Sequence, residues 1–244
     1  MYEILLGLTT ATTFAVLGFG FLIGLKHAVE ADHVAAVTTM VAERKSLWSS
    51  AIIGGVWGLG HTISLLIAGV LVLLLNFEIS ETTERWLEFG VGVMLAFLGL
   101  NVLRKVISGG HVHFHTHEHS DDTHAHPHVH DHAEFEHTDT HQPVTRSPKA
   151  LIIGMVHGLA GSAALMLAII PTIDSKTVGM LYILVFGVGS IGGMMLMSFI
   201  VGLPFHFSAT RSKRFHQTLQ AAAGLFSVVL GFWIIYEKAF AHSI

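Results

Sequence analysis

The chain has 244 residues, of which 52% are hydrophobic and only 12% are charged. A soluble domain carries about 25% charged residues, so this composition excludes an ordinary soluble fold and indicates a membrane protein. The chain contains no cysteine, which excludes disulfides, thiolate metal sites and cysteine redox chemistry. The formal net charge of −4 gives no indication of nucleic-acid binding, whereas 19 histidines far exceed ordinary usage.

The first apolar region covers residues 4–42 and has charged groups at its centre. About 20 apolar residues suffice to span a bilayer, so this region holds either one broken helix or two spans. A charged residue at the centre of a membrane helix costs roughly 2.5–3.5 kcal/mol, and such residues therefore mark functional sites. A break at membrane depth is tolerated only where the backbone lines a cavity or a bound ion. We predict a broken helix near residues 24–33.

Five more apolar runs follow, at residues 46–75, 86–103, 150–173, 178–203 and 219–236. Together with the first region they predict an all-α polytopic membrane protein with about six transmembrane helices. In that arrangement nine Lys and Arg residues fall on one side of the membrane and three on the other. The excess of basic residues predicts that the segment between the third and fourth spans is cytoplasmic, in an inner membrane, and that the C-terminus lies outside.

That segment, residues 108–147, is rich in histidine and poor in apolar residues, so we predict a disordered loop. Imidazole suits divalent nickel, copper, zinc and cobalt, and the alternating His-x-His pattern indicates many weak, exchangeable sites. Such a segment can buffer, deliver or sense metal; a solvated linker is the alternative. Its candidate ligands are His111, His113, His115, His117, His119, His124, His126, His128, His130, His132, His137 and His141.

The two halves of the chain resemble each other in three places, in the same order and at nearly constant spacing. Residues 24–27 resemble 154–157, residues 57–61 resemble 186–190, and the glycine pair 92 and 99 matches 224 and 231. A repeat of three spans inserts its second copy upside down, as in secondary transporters whose substrate sites lie near the midplane between broken helices. We predict two inverted three-helix repeats, residues 1–107 and 148–244, joined by the loop 108–147.

His27, Asp32 and His33 are the first candidate metal ligands. On an ideal helix His27 and Asp32 lie about 140° apart and Asp32 and His33 about 100° apart, so only an unwound helix turns all three toward one ion. Glu30 shares a helix face with His27 and can orient that imidazole from behind. The alternative is a polar hinge at the membrane surface.

Two more histidines lie in later apolar runs. His61 follows a run of glycines in the second run and is a further candidate ligand. His157 occupies the position of the repeat that corresponds to His27 and is a weaker candidate, because no carboxylate follows it. A helix–helix hydrogen bond is the alternative for either one.

These residues resemble the nickel/cobalt transporter (NiCoT) family. The segment His27–His33 fits that family's His-x4-Asp-His signature, and Leu59-Gly60-His61 resembles its Leu-Gly-His motif. Residues 157–164, His-Gly-Leu-Ala-Gly-Ser-Ala-Ala, are similar to the shorter, UreH-type (urease accessory) membrane members. The sequence departs from the family where Glu30 replaces the usual aspartate, and where Gly161-Ser162 stands in place of an Asp-containing motif of the longer members.

The residues and the resemblance together predict a permease, and not an enzyme, that carries Ni²⁺ or Co²⁺ into the cytoplasm. The repeats would rock around the ion site and expose it to each side in turn. Two alternatives stay open: an exporter of the same architecture, and a membrane metal chaperone or sensor that does not transport. We expect no prosthetic group, because the metal is cargo. The expected partners are membrane lipids, divalent metal ions and a cytoplasmic nickel chaperone, with no nucleic acid.

Overall fold

The computed structural model describes residues 2–44, 46–75, 80–108, 112–119, 122–129, 148–159 and 175–240. These ranges contain seven helices and one two-stranded sheet. The helices are α1 (Tyr2–His27), α2 (Ala31–Val41), α3 (Leu47–Leu75), α4 (Glu81–Ile107), α5 (Pro148–Gly158), α6 (Lys176–Arg211) and α7 (Lys213–Phe240); the strands are β1 (Val112–His119) and β2 (Asp122–Val129).

Four of the helices, α3, α4, α6 and α7, are long and apolar enough to cross a membrane, and the bent pair α1–α2 makes a fifth candidate span. At about 1.5 Å per residue even the 27 residues of α4 exceed the roughly 30 Å of bilayer hydrocarbon. The chain is therefore a multi-pass membrane protein. The sequence predicted six spans, and the described residues support up to five. Of the remaining run, 150–173, only the part up to residue 159 is described, and nine of the 11 residues of α5 lie there.

The predicted broken helix is confirmed. Helix α1 ends at His27, α2 begins at Ala31, and the two axes are bent by 55°. Glu30 has an extended backbone (φ −65°, ψ 149°), and its N–H donates to the carbonyl oxygen of His27 at 3.1 Å. The break is thus a tight turn over residues 28–30, and it changes the direction of the chain between His27 and the next two polar side chains.

The histidine-rich segment differs from the predicted disordered loop. The backbones of β1 and β2 pair antiparallel, in a register that sets His113 opposite His128 and His115 opposite His126. The reason is in the sequence: histidine at every second position gives the period of two that a strand requires. Residues 109–111, 120–121 and 130–147 lie outside the described ranges.

Helix ends explain why two spans are longer than the apolar runs that predicted them. Helix α4 begins five residues before the predicted run because the Ser80 side chain accepts a hydrogen bond from the Thr83 N–H, at 3.2 Å. Glu81 and Glu84 in the first turn favour that end through the helix dipole. Helix α6 extends to Arg211 and is separated from α7 by Ser212, whose backbone is extended.

Glycines allow the helices to approach closely along two main seams. Helix α3 lies antiparallel beside α6, where Thr62 Oγ1 donates to the carbonyl oxygen of Gly187 at 3.3 Å. Helix α4 lies beside α7, where Ser227 Oγ donates to the carbonyl oxygen of Leu95 at 2.9 Å. Hydrogen bonds and close backbone packing replace the hydrophobic effect as the cause of helix association in lipid. Helices α1 and α5 pack against α6 and α3 respectively.

Two clusters of buried apolar side chains form the interior. The larger one lies among α2, α3, α4, α5, α6 and α7, and includes Ala36, Val37, Trp57, Met194 and Phe205. The smaller one consists of Leu65, Tyr182, Ile183 and Phe186, with partly buried side chains of α1 packed against it. The buried histidines contact both clusters, because His33 packs on Trp57 and His27 packs on Phe186.

Candidate metal site

The broken helix brings together four histidines and one aspartate from four helices. His27 is the last residue of α1, and Asp32 and His33 lie in the first turn of α2. His61 lies at the middle of α3 and His157 in the last turn of α5. All six residues that the sequence singled out within the apolar runs, Glu30 included, therefore lie in one region of the structure.

Two groups of side chains could hold a metal ion. The first consists of His27, His33 and His61, and the second of Asp32, His33 and His157. In each group the potential ligand atoms lie within 4.8 Å of one another. A first-row metal binds imidazole nitrogen at about 2.0–2.1 Å, so two donors on opposite sides of one ion are about 4.2 Å apart. The observed spacing of up to 4.8 Å is close to that distance.

The imidazole rings form a continuous cluster in which His33 is central. The His33 ring centroid lies 4.1 Å from that of His27, 4.2 Å from His157 and 5.3 Å from His61. His33 also belongs to both ligand groups. An ion bound to either group would therefore contact His33, which is also a candidate ligand of the other group.

Asp32 is the carboxylate of the site and bridges two of the histidines. Its Oδ1 lies 3.0 Å from His33 Nδ1 and accepts a hydrogen bond from the His33 N–H at 2.9 Å. Its Oδ2 lies 2.9 Å from His157 Nε2. The carboxylate thus links the two imidazoles and carries a negative charge beside them.

Glu30 lies beside His27, and its predicted role in orienting that imidazole stays a prediction. Its Oε2 lies 3.0 Å from His27 Nδ1, within the range of an ion pair, although the angle is not that of a hydrogen bond. A carboxylate in this position can fix the orientation of a metal-binding imidazole. Glu30 is 38% exposed and His27 only 2%, so the carboxylate lies at the edge of the buried cluster.

The polar side chains of the cluster are unusually well buried. His27, His33, His61 and His157 are each at most 2% exposed, whereas Asp32 is 28% exposed. Among the described residues, His27 Nε2, His33 Nε2 and His157 Nδ1 are buried without a hydrogen-bond partner. Buried polar atoms normally have hydrogen-bond partners. Neighbouring nitrogen lone pairs without such partners can instead bind a metal ion. The donor set thus matches a divalent transition metal.

The sequence did not single out two aromatic residues that contact the cluster. The Trp57 ring lies 5.5 Å from the His157 ring and 5.3 Å from the His33 ring, between centroids. The Phe186 ring lies 5.8 Å from the His27 ring. The sequence does contain a signal that could have identified them, because Trp57 and Phe186 begin the two matching segments 57–61 and 186–190 of the repeat.

The histidines of the histidine-rich segment are described only by their backbone. His113, His115, His117 and His119 lie in β1, and His124, His126 and His128 lie in β2. His111, His130 and His132 lie outside the described residues, as do His137 and His141. Metal binding by this segment stays a prediction.

Comparison with known sequences assigns the chain to a family. The sequence profile described as "NicO: High-affinity nickel-transport protein" matches residues 13–212, which is most of the chain. This chain belongs to the NicO nickel-transport family. It is thus a membrane protein of a transporter family and not an enzyme. Both ligand groups of the NicO chain lie within the matched residues.

Individual relatives agree with the NicO assignment. The chain is 39% identical over 228 residues to the urease accessory protein UreH of Bacillus sp. (strain TB-90), with 91% of each chain covered. It is 25% identical to the chloroplast protein FOR GROWTH AND FERTILITY 2 of Arabidopsis thaliana, over 92% of this chain and 57% of that one. It is 32% identical over 89 residues to a high-affinity nickel transport protein of Cupriavidus necator, which covers 35% of this chain and 25% of that one. No solved structure matches.

Proposed function

We propose that this protein carries Ni²⁺, with Co²⁺ as a second cargo, across the inner membrane into the cytoplasm, and that His27, Asp32, His33, His61 and His157 bind the ion on its way. The observation that carries the proposal is the meeting of Asp32 with four buried histidines at a helix break. A bound cation would compensate such a group, because it would pair with the buried lone pairs and neutralise the carboxylate.

Binding would replace the ion's water shell by protein ligands. An ion at the first group meets three imidazoles, and an ion at the second meets Asp32 and two imidazoles. Because His33 is common to both, the ion can pass from one group to the other without becoming free of the protein. The imidazole nitrogens without hydrogen-bond partners would bind the ion as it moves between the groups. Asp32 supplies the negative charge that attracts a divalent cation.

Pairs of contacts support the inverted repeat on which this transport cycle depends. A Cβ on Gly24 would overlap the carbonyl oxygen of Phe186, and a Cβ on Gly154 would overlap that of Trp57. These two contacts correspond under the repeat, since Gly24 matches Gly154 and Phe186 matches Trp57.

The same correspondence recurs at other seams. A Cβ on Gly60 would overlap the carbonyl oxygen of Leu151, and a Cβ on Gly189 would overlap that of Phe21. On α4 and α7, Gly92 faces Gly231 and Gly99 faces Gly224. Each contact maps onto its partner when the halves are exchanged, as a two-fold axis in the membrane plane requires. An inverted repeat supplies two alternative packings, one open to each side.

The distribution of basic residues supports a cytoplasmic position for the histidine-rich segment. There its histidines would capture ions that leave the membrane site. Weak and exchangeable binding suits this role, because it retains the metal and still releases it to a cytoplasmic nickel chaperone.

The test is metal uptake by sealed proteoliposomes that contain the purified protein, with Ni²⁺, Co²⁺, Zn²⁺ and Mn²⁺ compared. We expect uptake of Ni²⁺ and Co²⁺ that Asp32→Asn abolishes, and a rise in cell-associated nickel on overexpression. A fall in cell-associated nickel would instead indicate an exporter. Wild-type uptake by the Asp32→Asn protein would contradict the proposed site.

A further inference from the structure

Two buried aromatic rings pack against the histidine cluster. Trp57 is 0% exposed and Phe186 1%. Trp57 packs against His33 and His157, while Phe186 packs against His27. The four histidines are at most 2% exposed, whereas Asp32 is 28% exposed. Each of the two rings thus covers part of the buried histidine cluster.

The antiparallel packing of α3 and α6 shows that the rings lie on opposite sides of the cluster. Trp57 precedes His61 by one turn, about 6 Å toward the Leu47 end of α3. On α6, Gly187 contacts Thr62 and Ile183 contacts Gly69. Phe186 therefore lies level with the stretch of α3 between residues 62 and 69, toward the Leu75 end.

The two rings also belong to different apolar clusters. Trp57 is part of the larger cluster, with Ala36, Val37 and Met194, whereas Phe186 is part of the smaller one, with Leu65, Tyr182 and Ile183. An apolar layer thus lies on each side of the polar site. A hydrated divalent cation does not cross such a layer without displacing it, because apolar side chains offer nothing in exchange for its water.

The rings correspond to each other under the proposed repeat, as do the histidines they cover. Trp57 matches Phe186 at an offset of 129, and His157 matches His27 at an offset of 130. The contact between Trp57 and His157 therefore maps onto the contact between Phe186 and His27. Both are ring contacts of similar length, 5.5 and 5.8 Å between centroids.

We propose that Trp57 and Phe186 are the two gates of the ion path, each closing the site toward one face of the membrane. The proposal rests on the proposed transport function and adds to it the residues that control access. Trp57 closes the face on which α3 begins, the cytoplasmic face in the proposed orientation, and Phe186 closes the opposite face. Opening one gate while the other stays closed gives alternating access without a continuous pore.

The chain's lack of cysteine allows a direct test, because one introduced thiol is then the only one. Ser190 is the suitable position: it is 0% exposed, matches His61 in the repeat and lies one turn from Phe186. Ser190→Cys protein is treated with a membrane-impermeant thiol reagent in right-side-out and inside-out vesicles, without metal. The readout is the ratio of the modification rates from the two faces.

We expect Trp57→Ala to raise the rate from the cytoplasmic face at least tenfold, and Phe186→Ala to raise it at least tenfold from the opposite face. Trp57→Phe, which keeps an aromatic ring, should leave the ratio near that of the parent. Leu65→Ala and Val37→Ala are the matched controls. They remove buried apolar volume from the same two clusters but no ring, and they should not shift the ratio.

The proposal is overturned if both ring truncations shift the ratio toward the same face, or if neither shifts it in protein that elutes as a folded species. Trp57→Leu and Phe186→Leu, which leave smaller cavities, replace the alanine variants if those do not fold. Because labelling needs no nickel, its outcome is independent of the metal site. If the ring truncations do not shift the labelling ratio but nickel uptake still depends on the histidines, the gate proposal fails and the proposed function stands. If the ratio shifts as expected but the protein takes up no nickel, only the proposed cargo is refuted.

Discussion

Asp32 Oδ2 lies 2.9 Å from His157 Nε2, so a carboxylate of the first half of the chain holds an imidazole of the second half. The other oxygen of the same carboxylate reaches His33 Nδ1 at 3.0 Å. Movement of α5 relative to α2 would change the contact with His157, whereas the contact with His33 lies within α2. In the proposed carrier, Asp32 would thus couple metal binding to the relative position of these two helices.

Replacing Asp32 tests this role most directly. Asp32→Asn keeps the size of the side chain and removes its charge, and breaking a buried charge interaction costs about 3–5 kcal/mol. We expect the Kd for Ni²⁺ at the membrane site to rise between about 100-fold and about 4,000-fold, measured by titration calorimetry in detergent. Glu43→Gln is the matched control, since Glu43 pairs with Lys105 at 2.9 Å on the exposed surface. An unchanged Kd in Asp32→Asn would remove this residue from the site.

Glu30 should act through His27 and not as a main ligand. Glu30→Gln removes the charge next to His27 Nδ1, and losses of carboxylates behind metal-bound histidines cost about 10- to 100-fold in affinity. We expect a smaller loss than for His27→Ala, measured in the same titration. The optical spectrum of bound Co²⁺, which reports the directly coordinating atoms, should keep its band positions in Glu30→Gln. A spectrum that changes as it does in His27→Ala would make Glu30 a direct ligand.

Close helix packing at the site leaves no space for a side chain at two glycines. A Cβ on Gly24 would overlap the Phe186 carbonyl, and one on Gly154 would overlap the Trp57 carbonyl. Overpacking of this kind costs about 1–3 kcal/mol. We expect Gly24→Ala and Gly154→Ala to lower the Tm in detergent and to weaken metal binding together.

The control for these substitutions is Gly192→Ala, because a Cβ there meets no atom within 4 Å. Alanine favours a helix over glycine by about 1 kcal/mol, so the Tm of Gly192→Ala should stay the same or rise. A rise in Tm for Gly24→Ala or Gly154→Ala as well would show that the helices do not approach as closely as described.

Deleting residues 112–129 separates the two proposed kinds of metal binding. This deletion removes the β1–β2 hairpin and seven histidines of the described strands. We expect the number of bound Ni²⁺ ions to fall, while the tight binding phase that depends on Asp32 remains. Loss of all binding would favour a sensor whose only metal site is the histidine-rich segment.

The transmembrane arrangement follows largely from the sequence. Apolar runs of sufficient length, a charged interruption near residues 24–33 and a match to the family's motifs predict a membrane protein with a broken first span, and the structure and the family assignment confirm this. Span ends were predicted less well, because capping by Ser80 extends α4 into an acidic stretch that hydropathy excludes. The hairpin in the histidine-rich segment was not predicted. The low apolar content of the segment indicates disorder, whereas the alternation of its histidines indicates strands.

The sequence by itself determined which side chains are costly in a membrane, since that cost depends on residue type and on the length of the surrounding apolar run. It therefore singled out His27, Asp32, His33, His61 and His157, and their role as ligands stays a prediction. Only the tertiary structure decided that they meet, that His33 belongs to both groups, and that Trp57 and Phe186 cover them from opposite ends. Those relationships depend on how α3 and α6 pack and on the 55° bend after His27, which arise from contacts between residues far apart in the chain.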